Sequence, residues 1–198
     1  MKLLSLHISL LILLLSACSH TKTKQECLEI YKKHKEDYVV TKTISGFEVK
    51  MEYLPKHLLQ DKESSKSNDL NFVLTIAPVK DYADEYKATM FEKITKFEEY
   101  KERVYNLNFS MDKLVEMSLD NTSGVYVPVL FNTENTYGLT KEIKINLVFA
   151  PKKSAEEFKS ADKLDLVFAD EIFETDINHF VFDNNKINNI SESVCSTN

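Results

Sequence analysis

Most of this chain alternates apolar and polar residues with a period of two, a pattern that suits one kind of backbone. Successive side chains of a β-strand point to opposite faces of its sheet, so strict alternation means one buried face and one wet face. Phe47, Val49, Met51 and Tyr53 interleave with Glu48, Lys50 and Glu52. Leu70, Phe72, Leu74 and Ile76 interleave with Asn71, Val73 and Thr75, and Ile143, Ile145, Leu147 and Phe149 with Lys144 and Asn146. Tyr105, Leu107, Phe109 and Met111 alternate with Asn106, Asn108 and Ser110 and read as a further strand. The other candidates are 114–119, 125–131, 164–169 and 179–182, with turn signals at 61–68, 120–124, 132–138, 151–162 and 183–185 between them. Seven or eight short strands at this spacing predict a mainly β fold, an antiparallel, immunoglobulin-like β-sandwich over residues 36–190. No βαβ rhythm is present, which disfavours a doubly wound or α/β-barrel enzyme.

Two stretches follow a helical period instead. Residues 25–35 hold a short, weak helix pattern around Cys27, Leu28 and Tyr31. Residues 81–104 hold a strong one, the single inserted amphipathic helix: Ala83, Tyr86, Met90, Ile94, Phe97, Tyr100 and Val104 recur at steps of three or four. Asp81 is placed to cap it, with Asp84 three residues on. Its aromatic stripe reads as core, and Glu85, Lys87, Glu92, Lys96, Glu99 and Arg103 as its solvated face.

Composition narrows the function classes. The 198 residues carry 25 Lys+Arg against 31 Asp+Glu, a net charge of −6, which argues against a nucleic-acid partner. Only 3 glycines leave no phosphate-cradling loop, and there is no Gly-x-Ser-x-Gly elbow. No cofactor is implied.

The N-terminus reads as an address. Lys2, an apolar run over residues 10–15 and the small residues Ser16 and Ala17 have the layout of a secretory signal over residues 1–17. The four residues Leu15-Ser16-Ala17-Cys18 resemble the lipobox of bacterial lipoproteins. The resemblance implies cleavage before Cys18, lipidation of its thiol and a diacylglycerol-plus-acyl anchor, which holds a membrane stably. Residues 18–35 then form the lipidated cysteine, a polar tether and the short helix, and 191–198 a polar tail. Ser19 rather than Asp after the cysteine resembles enteric lipoproteins sorted to the outer membrane, facing the periplasm.

Cys27 and Cys195 remain, and in an oxidising compartment two thiols favour a disulfide over two lone thiols. Closing so long a loop is worth about 4–5 kcal/mol in the chain-entropy picture. From 100–109 through 125–138 to 172–173 and 180–183, the hydrophobic pattern also resembles small β-rich envelope lipoproteins of the Bacteroidetes. That likeness implies a fold and a location and no catalytic residue.

The most suggestive polar cluster is Asp165, Asp170, Glu171, Glu174, Asp176 and His179. Asp170, Glu174 and Asp176 could offer oxygen ligands to Ca²⁺ without EF-hand spacing, or the stretch 170–179 is a solvated acidic loop guarding a strand edge. His34, His57 and His179 stand apart, and none has metal-ligand spacing. Tyr126 and Tyr137 are either loop anchors for a ligand or covers for the sandwich ends. The expectation is therefore a lipid-anchored, non-enzymatic binding module whose partner is an envelope protein or glycan. The rival is a Ca²⁺-dependent or hydrolytic envelope enzyme using the turn 170–179.

Overall fold

The computed structural model describes residues 24–59, 68–79, 94–135, 140–154 and 156–190. The signal segment 1–17, Cys18, the tether, Tyr137, Cys195, the tail and the 81–93 part of the expected helix lie outside them.

The protein is mainly β, with two antiparallel sheets and several helices. Strands β1 (Val39–Ile44), β2 (Phe47–Leu54), β3 (Leu70–Pro78), β6 (Leu130–Thr133) and β7 (Ile143–Phe149) form a five-stranded sheet in the order β1-β2-β3-β7-β6. Strands β4 (Val115–Leu119), β5 (Val125–Tyr126), β8 (Lys163–Asp170) and β9 (Asp176–Asp183) form the second, in the order β5-β4-β8-β9. The α-helices among the described residues are α1 (Lys24–Lys33), α2 (Phe97–Phe109), α3 (Met111–Leu114), α4 (Glu156–Lys159) and α5 (Asn184–Asn189). Among the described residues no helix is long and apolar enough to cross a membrane.

The expected alternation decides which faces meet. Phe47, Val49, Met51 and Tyr53 of β2 are buried, as are Ile143, Ile145, Leu147 and Phe149 of β7. Phe72 is the aromatic hub: its ring centroid lies 5.5 Å from Tyr53, 6.0 Å from Phe149 and 5.4 Å from Phe182 of the opposite sheet. Phe47 reaches Phe173 at 5.5 Å. These rings and the aliphatic rows beneath them make one core shared by both sheets.

Four local expectations change. Residues 105–109 are helical, not a strand: Leu107 alone is fully buried there, and Asn108 Nδ2 donates to Val104 O at 2.8 Å, one turn back. A five-residue alternating run matches both periods, and continuation of the preceding helix wins. That helix in turn begins only at Phe97, because the backbone at Lys96 is extended and the Glu99 carboxylate accepts from Lys96 N at 3.2 Å and Thr95 N at 2.8 Å. The 125–131 stretch splits at Pro128 into β5 of one sheet and β6 of the other, since proline has no N–H for a ladder. Finally, β1 is a strand that sequence alternation missed, held by its six-residue register with β2 across the Ser45-Gly46 turn. Both turn residues have positive φ, 52° and 84°, as a tight two-residue hairpin requires.

Helix α1 docks at the Leu54 end of β2. The single proton of Tyr31 Oη is shared between Glu52 Oε1 at 2.9 Å and Tyr53 O at 2.8 Å, and its ring stacks on Tyr38 at 5.4 Å. Burial and the neighbouring Glu52 push the Tyr31 hydroxyl far above its ordinary range, so it is a permanent donor. Burial also pushes Glu52 upward, but the Tyr31 hydroxyl, Lys35 and Lys50 outweigh it and hold the carboxyl below 4.5. A carboxylate whose folded value is depressed stabilises the fold above its unfolded value and loses that contribution as pH falls through the folded one. Glu52→Gln is therefore expected to flatten the fall of Tm between neutral pH and pH values below 4.5, measured by a thermal melt at each pH. Tyr31→Phe should cost about 1–2 kcal/mol by urea denaturation, because the Tyr53 carbonyl and the Glu52 carboxylate lose a buried donor, although Glu52 keeps Lys35 and Lys50. No change in midpoint would show that α1 is held by other contacts.

Candidate functional site

The acidic turn joins β8 to β9 and is organised by one carboxylate. Asp170 is 5% exposed. Its Oδ1 accepts from Ile172 N at 2.9 Å and Phe173 N at 3.0 Å, and its Oδ2 from Thr175 N at 3.2 Å and Thr175 Oγ1 at 2.5 Å. A carboxylate offers about four lone-pair positions, so the loop itself occupies them. Beside it, Asn178 is fully buried and donates to Thr175 O, Thr175 Oγ1 and Asp176 O, each at 3.1 Å. Together they hold Glu174 (φ 57°) and Asp176 (φ 60°) in the left-handed region that side chains disfavour.

This geometry does not bring Asp170, Glu174 and Asp176 together as ligands. Asp170 points inward into its own loop, whereas Glu174 and Asp176 are exposed. Among the described residues no group of three or more His, Cys, Asp or Glu converges to hold a metal ion. Millimolar Ca²⁺ is accordingly expected to leave Tm unchanged in a thermal-shift assay. A shift of several degrees would return the loop to the metal reading.

His179 lies on the outer face of β9, with Nδ1 3.0 Å from Asp165 Oδ2. His34 sits in the turn after α1, where its N–H donates to Ile30 O and Tyr31 O. His57 lies in the short 3-10 turn Lys56–Leu58, at the end of a strand as expected. Cys27 is buried and disulfide-bonded. Tyr126 is not a loop anchor: it is 2% exposed, edge-on to Phe158 at 5.1 Å, under the Lys152 ammonium.

At the Phe47 end of the molecule, helix α2 packs against the acidic turn and leaves a cleft of about 270 Å³. Phe47, Ile94, Thr95, Glu99, Arg103 and the 172–174 segment line it. The Arg103 guanidinium lies 4.8 Å from the Phe173 ring centroid and donates to Ile172 O at 3.2 Å, stapling helix to loop. Backbone N–H groups of Thr95 and then Lys96 hold the Glu99 carboxyl below its ordinary value.

The outward side of α2 is aromatic. Phe97, Tyr105 and Phe109 are 67%, 58% and 66% exposed, although the sequence pattern placed Phe97 in a core stripe. Phe97 pairs with Tyr100 at 6.2 Å, Tyr105 pairs with Phe109 at 5.5 Å, and the Lys101 ammonium lies 5.7 Å from the Phe97 ring. The chemistry available is stacking and apolar contact beside a small polar cleft. Arg103 and Asn178 were missed in the sequence. Asn178 had a signal, a polar residue in the inward row of Phe180 and Phe182, whereas Arg103 looked like any surface cation.

No protein-family model and no curated protein matches the chain. One solved structure, a novel protein of unknown function from Burkholderia pseudomallei, superposes with a TM-score of 0.39 at 9% identity. The alignment covers 90% of this chain and 96% of that one.

Proposed function

We propose that this protein is a lipid-anchored envelope protein that acts as a non-enzymatic binding module through the outer face of α2. The observation that carries the reading is the exposed row Phe97, Tyr105 and Phe109 on a helix that buries only Leu107 completely. Large apolar side chains held in water along one helix face are the usual mark of a recognition surface. Glu98 and Glu102 flank the row, which suits a partner with basic groups around an apolar patch. A toxin-capturing, immunity-type role is the narrower form of this reading. A glycan stacking on the rings is another form.

The lipobox supports the anchor at Cys18, with the periplasmic side of the outer membrane as the location. Helix α1, which follows the tether, docks at the Leu54 end of β2, whereas α2 sits at the Phe47 end. The strand separates them by about 23 Å, so a lipid at Cys18 would hold the aromatic helix away from the bilayer. Cys195 is the partner we assign to Cys27, since Cys18 is committed to lipid. A non-reducing peptide map should recover that pair. The immunoglobulin-like detail is an analogy of two packed sheets: β1-β2-β3 run as a meander, where immunoglobulin order interleaves its early strands between sheets. The enzymatic alternative at 170–179 is less favoured, because Asp170 is spent on its loop.

The test is photo-crosslinking from position 105 of the full chain in its native envelope. One discrete adduct is expected, and it should vanish in a Phe97→Ser, Phe109→Ser variant that melts like the parent. A diffuse smear or no adduct would sink the binding reading. Separately, Cys18→Ser should abolish palmitate labelling and release the protein from membranes. Retention in the membrane would sink the anchor.

A further inference from the structure

The cleft between α2 and the acidic turn holds chemistry that the aromatic row does not use. Its volume is about 270 Å³. Pockets for whole small molecules span roughly 300–1,000 Å³, so this one suits a single long side chain. Phe47, Ile94, Ile172 and Phe173 give it apolar walls, and Glu99 and Glu174 bring carboxylates to them. Arg103, the cation among these lining residues, stacks on Phe173 and donates to Ile172 O, so it is a strut of the wall.

Apolar walls edged by carboxylates complement a lysine or arginine side chain, which buries its methylene stem and keeps its charged head beside an acid. An anionic occupant would meet like charge. Glu98, Glu102, Glu171 and Asp176 are exposed around the cleft and outnumber the neighbouring cations Lys96 and Lys101. Residues step by about 100° around a helix, so Glu102 falls between Phe109 and the cleft-lining Glu99 and joins the two surfaces.

We infer that the cleft is the anchor pocket of the α2 recognition surface and takes one lysine or arginine side chain from a basic partner. The inference rests on the binding role proposed for α2. The partner's apolar residues would cover Phe97, Tyr105 and Phe109, and its cationic side chain would pass over Glu102 to lie between Glu99 and Glu174. A charged head drawn into a partly enclosed site meets less screening by water than one on the open surface, so the attraction is stronger there. A net charge of −6 draws such a partner from a distance and repels acidic ones.

The test uses the full chain in neutral detergent, with N-acetyl-arginine methylamide as the probe. Saturation-transfer NMR should show the probe's methylene protons receiving magnetisation from the protein at millimolar concentration. The citrulline analogue, neutral and nearly the same shape, should give little signal. Glu174→Gln should weaken binding of the arginine probe by roughly threefold to tenfold. Glu174→Lys, which sets its own ammonium at the cleft, should abolish it. Glu174 is exposed, so both variants should melt like the parent. The arginine probe should also compete away the adduct formed from position 105, and the citrulline analogue should not. No arginine signal, an equal citrulline signal, or binding undiminished in Glu174→Lys would each overturn the inference. A discrete adduct that excess arginine probe leaves intact would overturn it too, while sparing α2 as a binding surface. Absence of any adduct is instead the failure of the α2 reading, and the probe's direct binding is read separately from it.

Discussion

Asp170→Ala is expected to cost about 3–5 kcal/mol in urea denaturation, among the largest effects of any single substitution here. The carboxylate accepts four hydrogen bonds inside its own loop. Its removal leaves the N–H groups of Phe173 and Thr175 without their acceptor beneath the surface, and each unmet buried donor costs about 1–3 kcal/mol. The bonds from Asn178 then bear more of the cost of keeping Glu174 and Asp176 at positive φ, so the turn should rearrange. The rearrangement would move Ile172 and Phe173 and so release Arg103 and the end of α2. The same substitution separates the two readings of the acidic cluster. A carboxylate kept for a metal is repelled by its neighbours in the metal-free protein, and removing it would stabilise the fold. A cost under about 1 kcal/mol, or a gain, would sink the organising role.

Phe72→Ala is the second large effect, at about 3–5 kcal/mol. Phe72 is 1% exposed and touches rings on two strands of its own sheet and one of the opposite sheet. Its loss removes transfer energy and leaves a cavity whose walls, set by paired β-ladders, collapse poorly. Phe72→Leu keeps most of the volume and should cost less than half as much. The urea midpoint should fall at constant slope. A changed slope would mean that the sheets had separated in the native state rather than loosened around a hole.

How far the sequence could be read follows from which physics is local. The alternation in β2, β3, β7 and β8 exposed both the strands and the face each one buries, because a period of two maps directly onto a sheet. β1, with Val39, Val40, Thr41, Lys42 and Thr43, has no such rhythm, and its register with β2 is what makes it a strand. Helices α4 and α5 were hidden inside turn-rich stretches. The fully buried Asn184 ties them together by donating to Phe158 O at 2.6 Å and Ala161 O at 2.7 Å. Tyr105 to Phe109 fitted either period, and only the continuing backbone hydrogen bonds of α2 chose the helix.

The acidic cluster shows the same limit at the site. Sequence placed Asp170, Glu174 and Asp176 within seven residues, but whether carboxylates converge or diverge depends on the loop they sit in. Here Asp170 turned inward to hold that loop, and the other two turned to water.

By itself, then, the sequence determined a mainly β domain, the inward rows of its central strands and an N-terminus that resembles a lipoprotein's, because periodicity and short motifs are properties of neighbours along the chain. Only the tertiary structure decided that Arg103 meets Phe173, that the rings of α2 face outward and that Thr133 of β6 meets Leu107 of α2. Those outcomes depend on which elements pack together, and residues far apart in sequence settle that by burying apolar surface and satisfying backbone hydrogen bonds jointly.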